Sequence, residues 1–196
     1  MGPPKTFLME SPEPLPGQTG CSLSCIVLRR VRAQGGEDAV AEVLRRAGTE
    51  HSAAFLEDVG NWIDYTEACA LLEAAAQVTG DPQVGRRGGE DAVRQHAGTA
   101  VATLLRSLGS PQAILDQVSV TVTKFSTVTA MEPVEVEPGR AVVRALARPG
   151  YERPRHMCDW TTGLLSQVTV LFGLPPAAIS GLTSLSHWPR ISGAHS

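Results

Sequence analysis

The sequence predicts an α+β fold: one domain with helices packed on one face of a mostly antiparallel sheet. Three observations carry this. Long apolar stripes with helical spacing stand in the middle and at the end of the chain, as at Val93, Ala97, Ala100, Val101, Leu104, Leu105 and Leu108. Between them lies an alternating stretch, Val118, Val120 and Val122 against Ser119, Thr121 and Thr123. A Glu137-Pro138-Gly139-Arg140 turn then separates two extended runs, with Pro at the second position and Gly at the third as a type II turn requires. At 196 residues and 42% hydrophobic composition there is room and apolar material for one core.

In order along the chain, residues 1–20 hold five prolines and scattered polar residues and read as a flexible leader. The domain is expected over 21–178. Leu23 to Val31, short and rich in Ile26, Val27, Leu28 and Val31, reads as a strand. Gly35-Gly36-Glu37-Asp38 opens a helix that runs through Ala47, with Arg45-Arg46 at its end and Gly48 as its stop. A second helix is expected from Asn61 to Val78, with Trp62 and Tyr65 as core anchors. A third is expected from Glu90 to Leu108, closed by Gly109-Ser110-Pro111. The alternating run from Val118 is the next strand. Val134 and Val136 continue the extended pattern, and Ala141 to Arg148 returns as its hairpin partner. A last helix spans Pro154 to Phe172, with Met157, Trp160, Leu164, Leu165, Val168, Leu171 and Phe172 on its apolar stripe and Gly173 and Pro175-Pro176 beyond it. Residues 179–196, rich in Ser, Gly and His, form an atypical tail outside the core. The hexapeptide GGEDAV occurs at Gly35–Val40 and again at Gly88–Val93, and reads as a reused helix-start signal.

Composition narrows the function. Net charge is -3, the wrong sign for a general nucleic-acid binder, and Arg29-Arg30-Arg32 and Arg86-Arg87 lack interleaved aromatics. No apolar run reaches the length of a membrane span. The leader has no apolar segment of the signal-peptide kind, so the four cysteines Cys21, Cys25, Cys69 and Cys158 are expected as free thiols of a cytoplasmic protein. Met1-Gly2-Pro3-Pro4-Lys5-Thr6 fits the myristoylation pattern, but the paired prolines mark it as a chance match. No Walker-type phosphate loop, dinucleotide fingerprint or serine-hydrolase elbow occurs, and Gly85-Arg86-Arg87-Gly88-Gly89 lacks both the spacing and the preceding strand of a phosphate loop.

The one chemically mixed cluster is Arg155-His156-Met157-Cys158-Asp159-Trp160. Imidazole and thiolate are the side chains that ligate transition metals or haem iron. His156 and Cys158, two apart on a helix, face different ways and cannot chelate one ion alone. His156, Cys158 and Trp160 are the candidate ligand-binding residues, set against a plain role as helix-start polar groups beside an anchoring indole. His96 is expected as a partly buried, hydrogen-bonded side chain. No catalytic residue and no metal ligand is assigned.

Several segments, in order, carry a family likeness. They are Trp62-Ile63-Asp64-Tyr65, Leu72 to Ala76 with Val78-Thr79-Gly80-Asp81-Pro82, Gln95-His96-Ala97-Gly98-Thr99, and Leu104 to Pro111. They continue with Lys124-Phe125-Ser126-Thr127, Cys158-Asp159-Trp160-Thr161-Thr162-Gly163-Leu164-Leu165-Ser166, and Leu171 to Pro176. Over Ser22 to Ala177 the chain resembles the amino-terminal sensory domain of actinobacterial signalling proteins, which is joined to diguanylate cyclase, GAF or histidine-kinase output modules. That region is similar to the haem-nitric-oxide-binding and 4-vinyl-reductase-like superfamily of α+β ligand-binding domains. The family continues past the Leu-Pro-Pro motif with a cysteine- and glycine-bearing segment that closes the sheet. Ser180 to Ser196 departs from it, as a truncated or frame-altered end would.

The resemblance implies a non-catalytic sensory or regulatory domain that binds a small, largely apolar ligand between its helices and sheet and acts on a signalling output partner. The cofactor is unknown, and haem is not implied. Two alternatives stand beside it: a fragment of a tetrapyrrole-related enzyme, and a ligand-free module that forms a homodimer through its helices.

Overall fold

The computed structural model describes residues 15–96 and 100–180, without the side chains of residues 95, 96, 100–102 and 104. The expected residue 1–14 part of the leader, the 181–196 part of the tail and the 97–99 stretch of the third helix lie outside the described residues.

The fold is α+β, as expected, but its core lies among helices. Strand β1 (Gln18–Gly20) pairs antiparallel with β2 (Trp62–Asp64), and β3 (Thr129–Glu137) pairs antiparallel with β4 (Arg140–Ala147). These are two separate two-stranded sheets, joined by one bridge between Thr19 and Ser126. No single sheet carries the helices on one face, because β1 and β2 are three residues each and the β3–β4 hairpin pairs with no other strand among the described residues. β1 falls inside the expected leader: Thr19 is buried, and Gly20 donates to the Phe125 carbonyl at 2.8 Å.

The long helix α1 (Ser22–Ala47) replaces the strand expected at Leu23–Val31. The apolar run is buried all round, with Leu23, Cys25, Ile26, Val27, Leu28 and Val31 in the core, and a run of that kind looks alike in a central strand and a central helix. A kink at Gly36 (φ 70°, ψ -164°), a conformation only glycine takes without strain, separates this half from the helix expected after Gly36. After α2 (Ala53–Glu57), capped by Ser52, and β2, helix α3 (Tyr65–Thr79) buries Tyr65, Ala68, Leu71, Leu72, Ala74 and Ala75. Trp62–Asp64, expected as its first turn, is the strand β2 instead.

Helix α4 (Val84–His96) begins six residues before the expected Glu90, and α5 (Ala100–Ser107) follows. The second GGEDAV therefore lies inside a helix and does not start one. Next come α6 (Pro111–Asp116), with Ser110 as its cap, then α7 (Val118–Thr121) and a 3-10 turn over Val122–Lys124. This corrects the strand expected from Val118. Val118 and Val122 are buried while Val120 is 64% exposed, so the valines follow the i, i+4 spacing of a helix. The hairpin turn stands where expected, with Gly139 at φ 81°. Helix α8 (Arg155–Ser166) and a 3-10 segment over Val168–Phe172 divide the last expected helix in two.

The main core joins α1, α3, α4 and α8 through residues such as Val27, Leu72, Val84, Ala92, Met157 and Trp160. A second cluster of Ile114, Val168 and Leu171 receives Val93, Leu105 and Leu108. A third sits under the hairpin at Val118, Val122 and Met131. Helices α4 and α8 make the tightest crossing. A Cβ on Gly85 would lie 2.2 Å from the His156 carbonyl oxygen, one on Gly89 2.1 Å from that of Trp160, and one on Gly163 2.0 Å from that of Arg86. Glycines on both helices let the backbones touch, which is what the Gly85–Gly89 stretch is for. No helix among the described residues is long and apolar enough to cross a membrane.

Candidate functional site

The β1–β2 pair fixes where α3 starts: Tyr65 N–H donates to the Gly17 carbonyl at 2.9 Å. Tyr65 is thereby held 2% exposed, its ring edge-on to Tyr151 at 5.9 Å. One helical turn later Cys69 falls on the same face of α3, and the Tyr65 hydroxyl and the Cys69 thiol act on one another. The hydroxyl is buried and makes no hydrogen bond of normal geometry.

From the other side come Arg153 and the first turn of α8. The Cys158 thiol donates weakly to the Arg153 carbonyl at 3.7 Å. Arg153 Nη2 donates to Thr161 Oγ1 at 2.7 Å, while Thr161 donates to the Met157 carbonyl at 3.1 Å. Arg153 Nε is buried and unpartnered, and no carboxylate among the described residues pairs with this guanidinium within 4.0 Å. Across the α3–α8 seam the Arg153 guanidinium and the Cys158 thiol lie near enough to act on the charges of the Tyr65 phenol and the Cys69 thiol. Burial pushes the Tyr65 phenol well above its usual range, the Cys69 thiol adds to that, and the Arg153 charge opposes it. Burial also pushes the Cys69 thiol up to about 11, against the nearby Tyr65 hydroxyl and the Arg153 charge. At neutral pH Tyr65 thus offers a phenol O–H, Arg153 a guanidinium N–H and Cys69 a protonated thiol.

Of the residues singled out in the sequence, Cys158 is among these side chains. His156 lies beside it on the α3–α8 seam, its Nε2 3.4 Å from Glu73 Oε2 and its Nδ1 buried without a partner. Trp160 does not join them. Its indole turns to α4 and covers Gly88, whose Cβ would stand 2.7 Å from the ring, and the side chain is a member of the main core. Residues 156 and 160 are one turn apart on α8, and Trp160 packs into the glycine crossing with α4. The His96 side chain lies outside the described residues. Tyr65, Cys69 and Arg153 were not singled out as ligand residues. The i, i+4 spacing of Tyr65 and Cys69 was the available signal, whereas nothing in the sequence sets Arg153 against α3.

Elsewhere the basic stretches are neutralised. Arg30 pairs with Asp91 at 2.6 Å, Arg32 with Glu37 and Glu57, Arg86 with Glu90 at 3.3 Å and Arg87 with Asp81 at 2.9 Å. Among the described residues no three His, Cys, Asp or Glu gather as metal ligands would. The fold defines an α+β domain with a helix-rich core. No protein-family model matches the chain, and no curated protein matches it significantly.

Proposed function

We propose that this chain is a sensory or regulatory domain of a bacterial signalling pathway, cytoplasmic and non-catalytic, that binds a small, largely apolar ligand and passes a change of packing to an output partner. The observation that carries this is the α3–α8 seam, where Tyr65 Oη, Arg153 Nε and His156 Nδ1 are all buried without partners. Each unmet group costs about 1–3 kcal/mol. A ligand site built from an apolar surround and a few convergent polar groups has this composition. A ligand that met these atoms in one packing of α8 against α3, and not in another, would shift the balance between the two. The likeness to actinobacterial sensory domains supports the same assignment.

Melting of the freshly purified protein beside protein that has been denatured, desalted and refolded tests the proposal. A lower melting temperature after desalting, restored by the small-molecule extract, is the expected result. An unchanged melting temperature that the extract does not move would overturn it.

A second reading, the homodimerisation module, draws on the exposed apolar side chains Val120 (64%), Phe125 (43%) and Val134 (53%). A concentration-dependent dimer that V134E abolishes would favour it.

A further inference from the structure

We infer that Arg153 and Tyr65 receive the carboxylate group of the ligand, so that the sensed compound is a small organic acid whose apolar body lies along the α3–α8 seam. This rests on the ligand-binding function proposed above and specifies its chemistry. Four observations point to it. Arg153 is held in place by its Nη2–Thr161 hydrogen bond, which leaves the Nε–H side of its planar fork directed into protein without an acceptor. Its positive charge meets no carboxylate among the described residues within 4.0 Å, whereas Arg30, Arg32, Arg86 and Arg87 all do. The Tyr65 hydroxyl, on a side chain 2% exposed, is a second donor without an acceptor in the same group. The remaining members, the Cys69 and Cys158 thiols, are weak partners that leave the strong donors unmet. Two unmet donors, one of them cationic, call for an acceptor-only anion. The parallel N–H groups of a guanidinium match the two oxygens of a carboxylate.

The group contains no oxidant, no metal ligand set and no base, so the inference is one of binding alone. The Cys158 thiol contacts the Arg153 carbonyl at 3.7 Å on the same side of α8. This gives the sequence-stretch 155–160 a part in the site, with Cys158 lining it and Trp160 bracing α8 from behind.

The test is thermal melting and calorimetric titration of the full chain with sodium acetate, hexanoate and benzoate. Sodium chloride at equal ionic strength and the neutral hexanamide serve as controls. At least one of the acids should raise the melting temperature where chloride and hexanamide do not. R153Q should weaken that binding at least about tenfold, the worth of one charge-assisted hydrogen bond. R153K keeps the charge but loses the fork and should fall between. Y65F removes one donor with little change of shape and should weaken binding by a smaller factor. Circular dichroism and the melting temperature without ligand report whether each variant is folded, and R153K and Y65F keep the question open to measurement if R153Q is not. Stabilisation by hexanamide equal to that by hexanoate, or acid binding that R153Q and R153K leave unchanged, would overturn the carboxylate inference while leaving a ligand-binding domain in place. Failure of all three acids would overturn it as well. The ligand-binding function itself falls only if the desalting experiment above is also negative.

Discussion

Gly89 on α4 lies directly on the backbone of Trp160 on α8, so close that a methyl group there would stand 2.1 Å from the Trp160 carbonyl oxygen. The approach is reciprocal, since Gly163 of α8 rests on the Arg86 carbonyl of α4. This contact sets the position of α8, and α8 carries His156, Cys158 and, just before its first turn, Arg153. The site on the α3 side of α8 therefore depends on glycines that face the other way.

G89A and G163A should each force the two helices apart and cost about 1–3 kcal/mol or more, since main chain must move. G88A should cost less, because its new methyl meets the Trp160 ring and no main-chain atom. Urea unfolding of the three variants measures the order. Equal losses at positions 88 and 89 would contradict the described crossing.

The protein should lose stability as the pH rises above about 9. Tyr65 and Cys69 both bind their protons more tightly folded than unfolded, because burial raises both. Their contribution is fully present below the unfolded values, near 9.0 for the thiol and 10.0 for the phenol, and is lost as the pH climbs through the folded ones. C69A should flatten the part of the stability curve between pH 9 and 11, and Y65F the part above 10. Chemical denaturation at a series of alkaline pH values gives both slopes.

Thiol chemistry should distinguish the cysteines. Raising Cys69 from 9.0 to about 11 leaves it about a hundredfold less thiolate at pH 8. Cys21 and Cys25 are buried, with thiols also raised by burial. Alkylation of the native protein by iodoacetamide, followed by peptide mapping, should therefore mark Cys21, Cys25 and Cys69 far more slowly than in urea. Rapid native labelling of Cys69 would show that it is not enclosed by α3 and α8.

The Arg30–Asp91 pair ties α1 to α4, with both side chains about three-quarters buried and Arg30 Nε already without a partner. D91A leaves that guanidinium uncompensated and should cost about 1–3 kcal/mol. D91N, which keeps an acceptor oxygen, should cost less. The midpoint of urea unfolding decides between them.

Much of this was legible in the chain. The hairpin at Pro138-Gly139, the helix stops at Gly48 and Gly173 and the α+β class all follow from local chemistry that the folded protein keeps. What was misread shares one physical cause: tertiary burial overrode local pattern. Leu23 to Leu28 are all buried because this part of α1 is enclosed by its neighbours, and that hides the helical period. Val118, Val120 and Val122 alternate by type, yet only the first and last are buried. In GGEDAV one sequence serves two ends, since Gly36 kinks a helix while Gly88 and Gly89 make room for Trp160. For the site, Cys158 was visible as a polar residue on an apolar helix. Arg153 and Tyr65, 88 residues apart, come near one another only when α8 is laid on α3, which no local pattern encodes.

The most direct test of the ligand-binding function is native mass spectrometry of the freshly purified chain beside a denaturing spectrum of the same sample. The expected result is extra, non-covalently held mass in the native spectrum that disappears on denaturation. A native mass equal to that of the bare chain would contradict the account, and a whole multiple of it would contradict the account in favour of the dimerisation module.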